Sequence, residues 1–352
     1  MSHRVAVVTT GGTIGSVFSG HTITANTSKS RLRSEIARVC QGKDLAIEVV
    51  PALEKMSEDM SPADWLTILE TIRGLVESGH KSILITHGTD TMAYTAAAIA
   101  LYFNDNKDGV KICLTGASYP IEHNESDAGI NLEAAFDVVV SEEMPPGVYL
   151  AFRANDTAVG VYHGLEITPI SYDAYAFGAM YGNLAALYSQ GVLNILQPRN
   201  FDITADCGFP AANKLKSSGQ SIYQAMTYPG MDLSIYSAPP PQSRLIIIDA
   251  YHSGTASSEQ VAGSIIDFKN KNPHIDMAMA CVPSKYMNIP YPSTLAIMKS
   301  GVYVYNDFSP LVLYVLAVCR FAAGVQFSDL LDPVSESLLP IMPTKALRRI
   351  LR

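Results

Sequence analysis

Two apolar runs in this chain each end in a glycine–threonine loop, and that pairing limits the folds open to it. Val5-Ala6-Val7-Val8 reads as a short buried strand and leads into Thr10-Gly11-Gly12-Thr13-Ile14-Gly15. Ser82-Ile83-Leu84-Ile85-Thr86 reads the same way and leads into His87-Gly88-Thr89-Asp90-Thr91. Adjacent glycines let a backbone turn sharply and approach a ligand closely. Thr13 is the residue left facing that ligand, and a hydroxyl at the mouth of a strand-to-loop turn is a candidate nucleophile. Two hydroxyl-bearing loops at two strand ends point to one shared site.

Strands and helices alternate around these loops. After the opening strand comes a polar loop over 16–28, then a helix over 30–40 and a strand over 46–50. Ser61-Pro62 starts a helix, with serine as N-cap and proline at the first position. Its apolar spacing runs through Trp65, Ile68, Leu69, Ile72 and Val76 to an end near Gly79. Strands are predicted over 83–86, 111–115 and 148–152, and helices over 92–103 and 127–139. This punctuation predicts a doubly wound, mostly parallel sheet with helices on its faces. Ligands of such sheets bind beyond the C-terminal strand ends, where both hydroxyl loops and Thr115-Gly116-Ala117-Ser118 fall. The pattern weakens after Tyr188, and three consecutive prolines, Pro239 to Pro241, favour an extended form. A second α/β unit follows, with strands over 245–248, 277–282 and 302–305 and helices over 258–269, 293–299 and 310–323. The expected organisation is a large N-terminal α/β domain over 1–190, a linker region over 191–243 and a smaller C-terminal α/β domain over 244–352.

Composition narrows the partners. Charged residues are 16% of the chain, net charge is −8, and no basic cluster stands out, so a nucleic-acid partner is not expected. The sequence opens without a charged segment, apolar core and small-residue cleavage site, and no apolar run is long enough to span a bilayer. A cytoplasmic protein with no membrane partner is expected. Five cysteines are scattered with no CxxC pair, which argues against a zinc site or a disulfide framework. GxxxxGK[ST] is absent and no GxGxxG is well placed, so a nucleotide-binding role for Gly11-Gly12 is weak.

Together the loops resemble the bacterial-type L-asparaginase (asparaginase/glutaminase) family over most of the chain. The resemblance rests on Thr10 to Gly15, Ser57-Glu58-Asp59-Met60, His87 to Thr91, Thr115-Gly116-Ala117, Ser126-Asp127 and Asn131-Leu132. In the C-terminal part it rests on Tyr251-His252-Ser253-Gly254-Thr255 and Asp307-Phe308-Ser309-Pro310. It implies hydrolysis of a side-chain amide of asparagine or a related small substrate through an acyl-enzyme, with no metal or organic cofactor. Thr13 is then the nucleophile, its β-branch pre-aiming the oxygen; a turn threonine bonded to local backbone is the other reading. Thr89 and Asp90 would manage water and the substrate ammonium, although both also suit a helix N-cap. Ser57 and Glu58 match the segment that grips the amino-acid end of the substrate, or form a polar loop before the Ser61 helix start. Gly12, Gly88 and Ser118 border the substrate, and backbone N–H groups of the two glycine loops would hold the oxyanion. His87 is expected to hydrogen-bond under its loop, His123 to be a solvated loop residue and Asp127 a helix-start residue. Ser253 would reach the site of a neighbouring subunit, since the resemblance implies a homodimer or homotetramer.

Two parts of the family pattern are missing. No lysine lies between Lys111 and Lys214, and the place of the family's catalytic lysine falls near Glu166. A carboxylate there reverses the local field and raises neighbouring carboxylate pKa values. The family's loop tyrosine is also absent, and the 16–28 loop offers Phe18 and His21, the latter a candidate proton shuttle. An amidohydrolase with altered site chemistry and a catalytically silent homologue that binds an amino-acid-like ligand both fit these substitutions.

Overall fold

The computed structural model describes residues 3–19, 22–24, 29–103, 108–171, 176–196, 209–236, 239–282, 291–305 and 308–327. These fall in two compact units, Met1–Phe209 and Pro210–Arg352. The first unit runs β1 (His3–Gly11), β2 (Val17–Ser19), β3 (Thr22–Thr24), α1 (Lys29–Val39), β4 (Leu45–Lys55), α2 (Pro62–Glu77), β5 (Ser82–Thr86) and α3 (Thr89–Phe103). It continues with β6 (Lys111–Thr115), α4 (Ala128–Val140), β7 (Gly147–Asn155), β8 (Ala158–His163), β9 (Ile167–Ser171), β10 (Ala176–Ala179), β11 (Ala186–Ser189) and β12 (Val192–Ile195).

Eight of these strands form one sheet in the order β12-β11-β8-β7-β6-β5-β1-β4. From β4 to β7 every neighbour is parallel, and β8, β11 and β12 extend the sheet with antiparallel pairs. The central strands are buried on both faces, as their unbroken apolar runs require. Side-chain alternation puts Val5, Val7, Leu84, Cys113, Tyr149 and Ala151 on the face that packs on Leu32 and Ile36 of α1 and Leu132 and Phe136 of α4. Ala6, Val8, Ile83, Ile85, Ile112 and Leu114 line the opposite face, which α2 and α3 cover. The polar 16–28 loop of the sequence reading contains a small antiparallel pair, β2 with β3.

That arrangement fixes the hand of the crossovers. The step from β1 to β4 goes toward one edge of the sheet, the step from β6 to β7 toward the other, and α1 and α4 cross the same face. The two connections therefore have opposite hands. The α2 and α3 crossovers share the hand of α1, since they step the other way on the other face. Parallel crossovers are almost always right-handed, which makes β6–α4–β7 the left-handed exception.

The second unit runs α5 (Ala212–Gly219), β13 (Ile222–Met226), β14 (Leu245–Asp249), α6 (Ile265–Lys271), β15 (Asp276–Ala280), α7 (Pro292–Lys299), β16 (Tyr303–Tyr305) and α8 (Pro310–Ala322). Its four strands are parallel in sequential order around a core that includes Ile246, Ile248, Met277, Met279 and Phe268. The chain is thus α/β, with a large mostly parallel N-terminal sheet and a smaller parallel C-terminal one.

Two expectations need correction. The described residues within 191–243 carry regular structure where a linker region was expected: β12 pairs with β11 in the first sheet, while α5 and β13 belong to the second unit. The Val192–Ile195 and Ile222–Met226 strands are short and only half-buried, so their apolar signal is thin. The helix expected from 258 begins instead at Ile265. Gly263 takes a left-handed φ of 80°, and Ser264 caps the helix by accepting the Asp267 N–H at 3.1 Å. Among the described residues, no helix is long and apolar enough to cross a membrane.

Candidate active site

The site is built where three backbone segments touch. At the end of β1, Gly11 and Gly12 take φ values of 102° and 80°, which turn the chain out of the sheet. The Gly12 N–H donates to the Lys55 carbonyl at 3.0 Å, and Gly11 lies so close to Lys55 that a side chain would strike its carbonyl oxygen. A Cβ on Gly12 would sit 2.5 Å from the Gly88 Cα, and one on Gly88 would sit 2.5 Å from the Ser57 Oγ. The β1 loop is therefore in direct backbone contact with the end of β4 and with the β5 loop, the β5 loop rests on the Ser57 side chain, and the missing side chains are what allow it.

Thr13 opens a one-turn 3-10 helix, Thr13–Gly15. Its carbonyl accepts the Ser16 N–H at 3.0 Å, and the Ser16 hydroxyl donates to the Gly12 carbonyl at 2.8 Å. The main chain of Thr13 is thus part of the turn, while its side chain stays half-buried. Thr10 has a strand-end role: it is buried, and its hydroxyl ties β1 to β5 by donating to the Thr86 carbonyl at 2.9 Å.

Ser57 begins a second 3-10 turn, Ser57–Asp59, and is buried, whereas Glu58 beside it is exposed. The Ser57 hydroxyl donates to Asp90 Oδ2 at 3.2 Å, and the Thr91 hydroxyl donates to the Ser57 carbonyl at 2.8 Å. Thr89 and Asp90 are the first two residues of α3, half-buried and exposed respectively. A carboxylate in that first turn is favoured by the helix dipole. Gly12, Thr13, Ser57, Glu58, Gly88, Thr89 and Asp90 thus lie on three abutting loops. Their side chains offer hydroxyls and carboxylates, a setting that favours a cationic group on a ligand.

Beneath the loop, His87 is completely buried. Its Nδ1 lies 2.7 Å from the Gly88 carbonyl oxygen, and its Nε2 lies 2.9 Å from the Thr95 hydroxyl. Burial pushes its pKa down to about 4, so the ring is neutral at neutral pH. Its own N–H donates to the Thr115 carbonyl at 2.8 Å, and Gly116 lies against its carbonyl oxygen.

The other residues named from the sequence are placed differently. Ser118 closes its own loop: its N–H and hydroxyl reach the two carboxylate oxygens of Asp127 at 2.7 and 3.0 Å. Asp127 occupies the N-cap position of α4 without capping it, and Arg153 lies 3.8 Å from its Oδ2. His123 stacks on Tyr119 with ring centroids 4.5 Å apart. Glu166 is buried in the turn between β8 and β9, its N–H donating to the His163 carbonyl and its carbonyl accepting the Met180 N–H. Gly164 in that turn lies against Ala96 of α3, seven residues beyond Thr89. Ser253 belongs to the second unit, where its hydroxyl lies 2.9 Å from that of Thr255. His21 lies outside the described residues.

Thr91, Thr95 and Asn131 were not named as site residues from the sequence, yet each holds a loop in place. Asn131 donates to the Gly116 carbonyl at 3.1 Å. The signal for Thr95 was a hydroxyl on the buried face of an otherwise apolar helix.

Comparisons with known proteins bear on the family and the fold. The chain is 27% identical over 278 residues, 76% of its length, to a glutamyl-tRNA(Gln) amidotransferase subunit of Methanococcus vannielii. It is 32% identical over 165 residues, 47% of its length, to the corresponding amidotransferase subunit from Pyrobaculum aerophilum. It spans less than two thirds of those relatives, 62% and 39% of their lengths. The thermostable L-asparaginase from Thermococcus kodakarensis shares its fold, with a TM-score of 0.75 over 96% of this chain and 99% of that one, at 19% identity. L-asparaginase I from Vibrio cholerae does so with a TM-score of 0.72 over 97% and 99%, also at 19% identity. The family described as asparaginase, N-terminal, matches residues 4–198, more than half of the chain, and the chain belongs to that family.

Proposed function

We propose that this chain hydrolyses the side-chain amide of asparagine or a closely related small amino-acid-derived substrate, with Thr13 as nucleophile. The observation that supports the reading is the close packing of the Gly12 backbone on Gly88 and of Gly88 on the Ser57 side chain, with Ser57 bonded to Asp90. It puts the loops that carry Thr13, Glu58, Thr89 and Asp90 side by side, which supports a shared site.

The Thr13 oxygen bonds to the amide carbon, the resulting oxyanion is held by backbone N–H groups, and the C–N bond breaks. The threonine proton leaves with the nitrogen as ammonia. Water then attacks the ester, restores the Thr13 hydroxyl and releases a carboxylic acid. Thr89 and Asp90 serve the water and the proton path. Glu58 and Asp90 attract the α-ammonium of the substrate. Because the Ser57 hydroxyl already donates to Asp90, Ser57 orders that carboxylate, and it must rotate to reach a substrate carboxylate.

Ammonia release from asparagine, glutamine and related amides tests the reading, comparing wild type with Thr13→Ala. The expected result is release by wild type and a loss of about a thousandfold or more in the variant. Equal release by both overturns it.

The amidotransferase relatives favour a second reading, in which the same amide chemistry serves an assembly with another protein. That reading expects slow release of ammonia from glutamine by the isolated chain, accelerated by the partner.

A further inference from the structure

The buried ring of His87 touches no exposed part of the site, yet both its nitrogens are engaged. A carbonyl oxygen can only accept, so the 2.7 Å contact with Gly88 places the single ring proton on Nδ1. Nε2 is then the acceptor and the Thr95 hydroxyl the donor across 2.9 Å. Thr95 is completely buried on α3 and gives its proton to the ring instead of to a helical carbonyl. His87 is itself held by its N–H on Thr115.

The consequence lies one bond away. The chain has no cis peptide among the described residues, so in the planar 88–89 peptide the Gly88 carbonyl and the Thr89 N–H point in opposite directions. A carbonyl drawn inward to His87 sends the Thr89 N–H outward, at the first residue of α3, where helix N–H groups lack intrahelical acceptors. Were this peptide to flip, an oxygen would face the developing oxyanion instead of a donor.

We infer that His87, held by Thr95, is a positioning residue that fixes the Gly88–Thr89 peptide so that its N–H faces the reacting amide. The inference rests on the amidase reading. It differs from that reading in assigning a function to a side chain that never meets the substrate.

His87→Leu removes the donor to Gly88, while His87→Asn places an amide N–H near the position of Nδ1. The expected result is a kcat about 10²-fold lower in His87→Leu with KM changed far less, and recovery of most of that loss in His87→Asn. A purely structural histidine would lower the folded fraction in both variants and leave kcat per folded molecule unchanged, which overturns the inference. A second measurement does not depend on turnover: the side-chain ¹⁵N spectrum of wild type at neutral pH should show His87 as the neutral Nδ1–H form. The Nε2–H form overturns the inference whatever the activity. If wild type and Thr13→Ala are equally inactive, the amidase reading fails, and the spectrum still decides the geometry around Gly88.

Discussion

At Gly12, torsion and contact forbid a side chain for separate reasons. Its φ of 80° lies in the left-handed region, and its Cα lies against the Gly88 backbone, which has no flexible end to move. Gly15, three residues on, has open space around its α-carbon. Gly12→Ala is therefore expected to cost at least about 2 kcal/mol of stability and to abolish ammonia release. Gly15→Ala should change stability by less than about 1 kcal/mol. Urea unfolding of the two variants checks this, and similar losses in both would contradict the account. The sequence shows a glycine in each place and cannot separate them, because the distinction depends on what the β5 loop brings against β1. Ser57 is a parallel case. Its residue type suited a ligand contact, and only the fold shows that its first partner is Asp90.

Among the elements, the parallel strands and their helices were legible because long apolar runs and caps are local signals. The Ser61-Pro62 start appears as read, with the Asp64 carboxylate accepting the Ser61 N–H at 2.8 Å. The antiparallel strands β8, β11 and β12 were not legible, since pairing partners are set by the sheet already formed. The left-handed β6–α4–β7 crossover leaves no local trace either. What holds α4 on the face that α1 also covers can be asked energetically. Lys43 meets Asp137 at 2.6 Å, Arg38 meets Glu133 at 3.6 Å, and Arg31 pairs with Glu122. These pairs are partly exposed, and such pairs contribute at most about 1 kcal/mol each. Leu132 of α4 is completely buried in the same interface, where truncation costs about 2–5 kcal/mol. Leu132→Ala should thus destabilise the first unit several times more than Lys43→Ala. Comparable losses in urea would mean that charge, not burial, holds this helix.

Across the whole molecule, burial of titratable groups gives the two units opposite responses to acid. In the first unit burial lowers His87 to about 4 and His163 to about 3. An unfolded histidine titrates near 6.5, so below that pH the unfolded chain takes up protons that the folded unit refuses. Stability from these two groups is complete above about pH 6.5 and falls as pH drops toward about 4 for His87 and about 3 for His163. The slope reaches about 1.4 kcal/mol per pH unit for each histidine. In the second unit burial raises Asp249 and Asp276 above the ordinary carboxylate value, with Lys269 and Arg244 only partly opposing the shift at Asp276. A carboxyl raised by folding contributes stability at low pH that is lost as pH rises through its folded pKa, so these two groups favour the folded unit in acid. Asp232 and Asp267 shift the other way, held down by hydrogen bonds from Ser234 and from Lys271 and the Gly263 N–H; Asp232 is exposed and Asp267 half-buried, so their contributions are screened. Hydrogen exchange read by peptide at pH 7 and pH 5, corrected for intrinsic rates, separates the two effects. On acidification, protection should fall more in the core strands β1 and β5 than in β14 and β15. Equal loss in both sheets would show that the buried aspartates do not offset acid unfolding in the second unit.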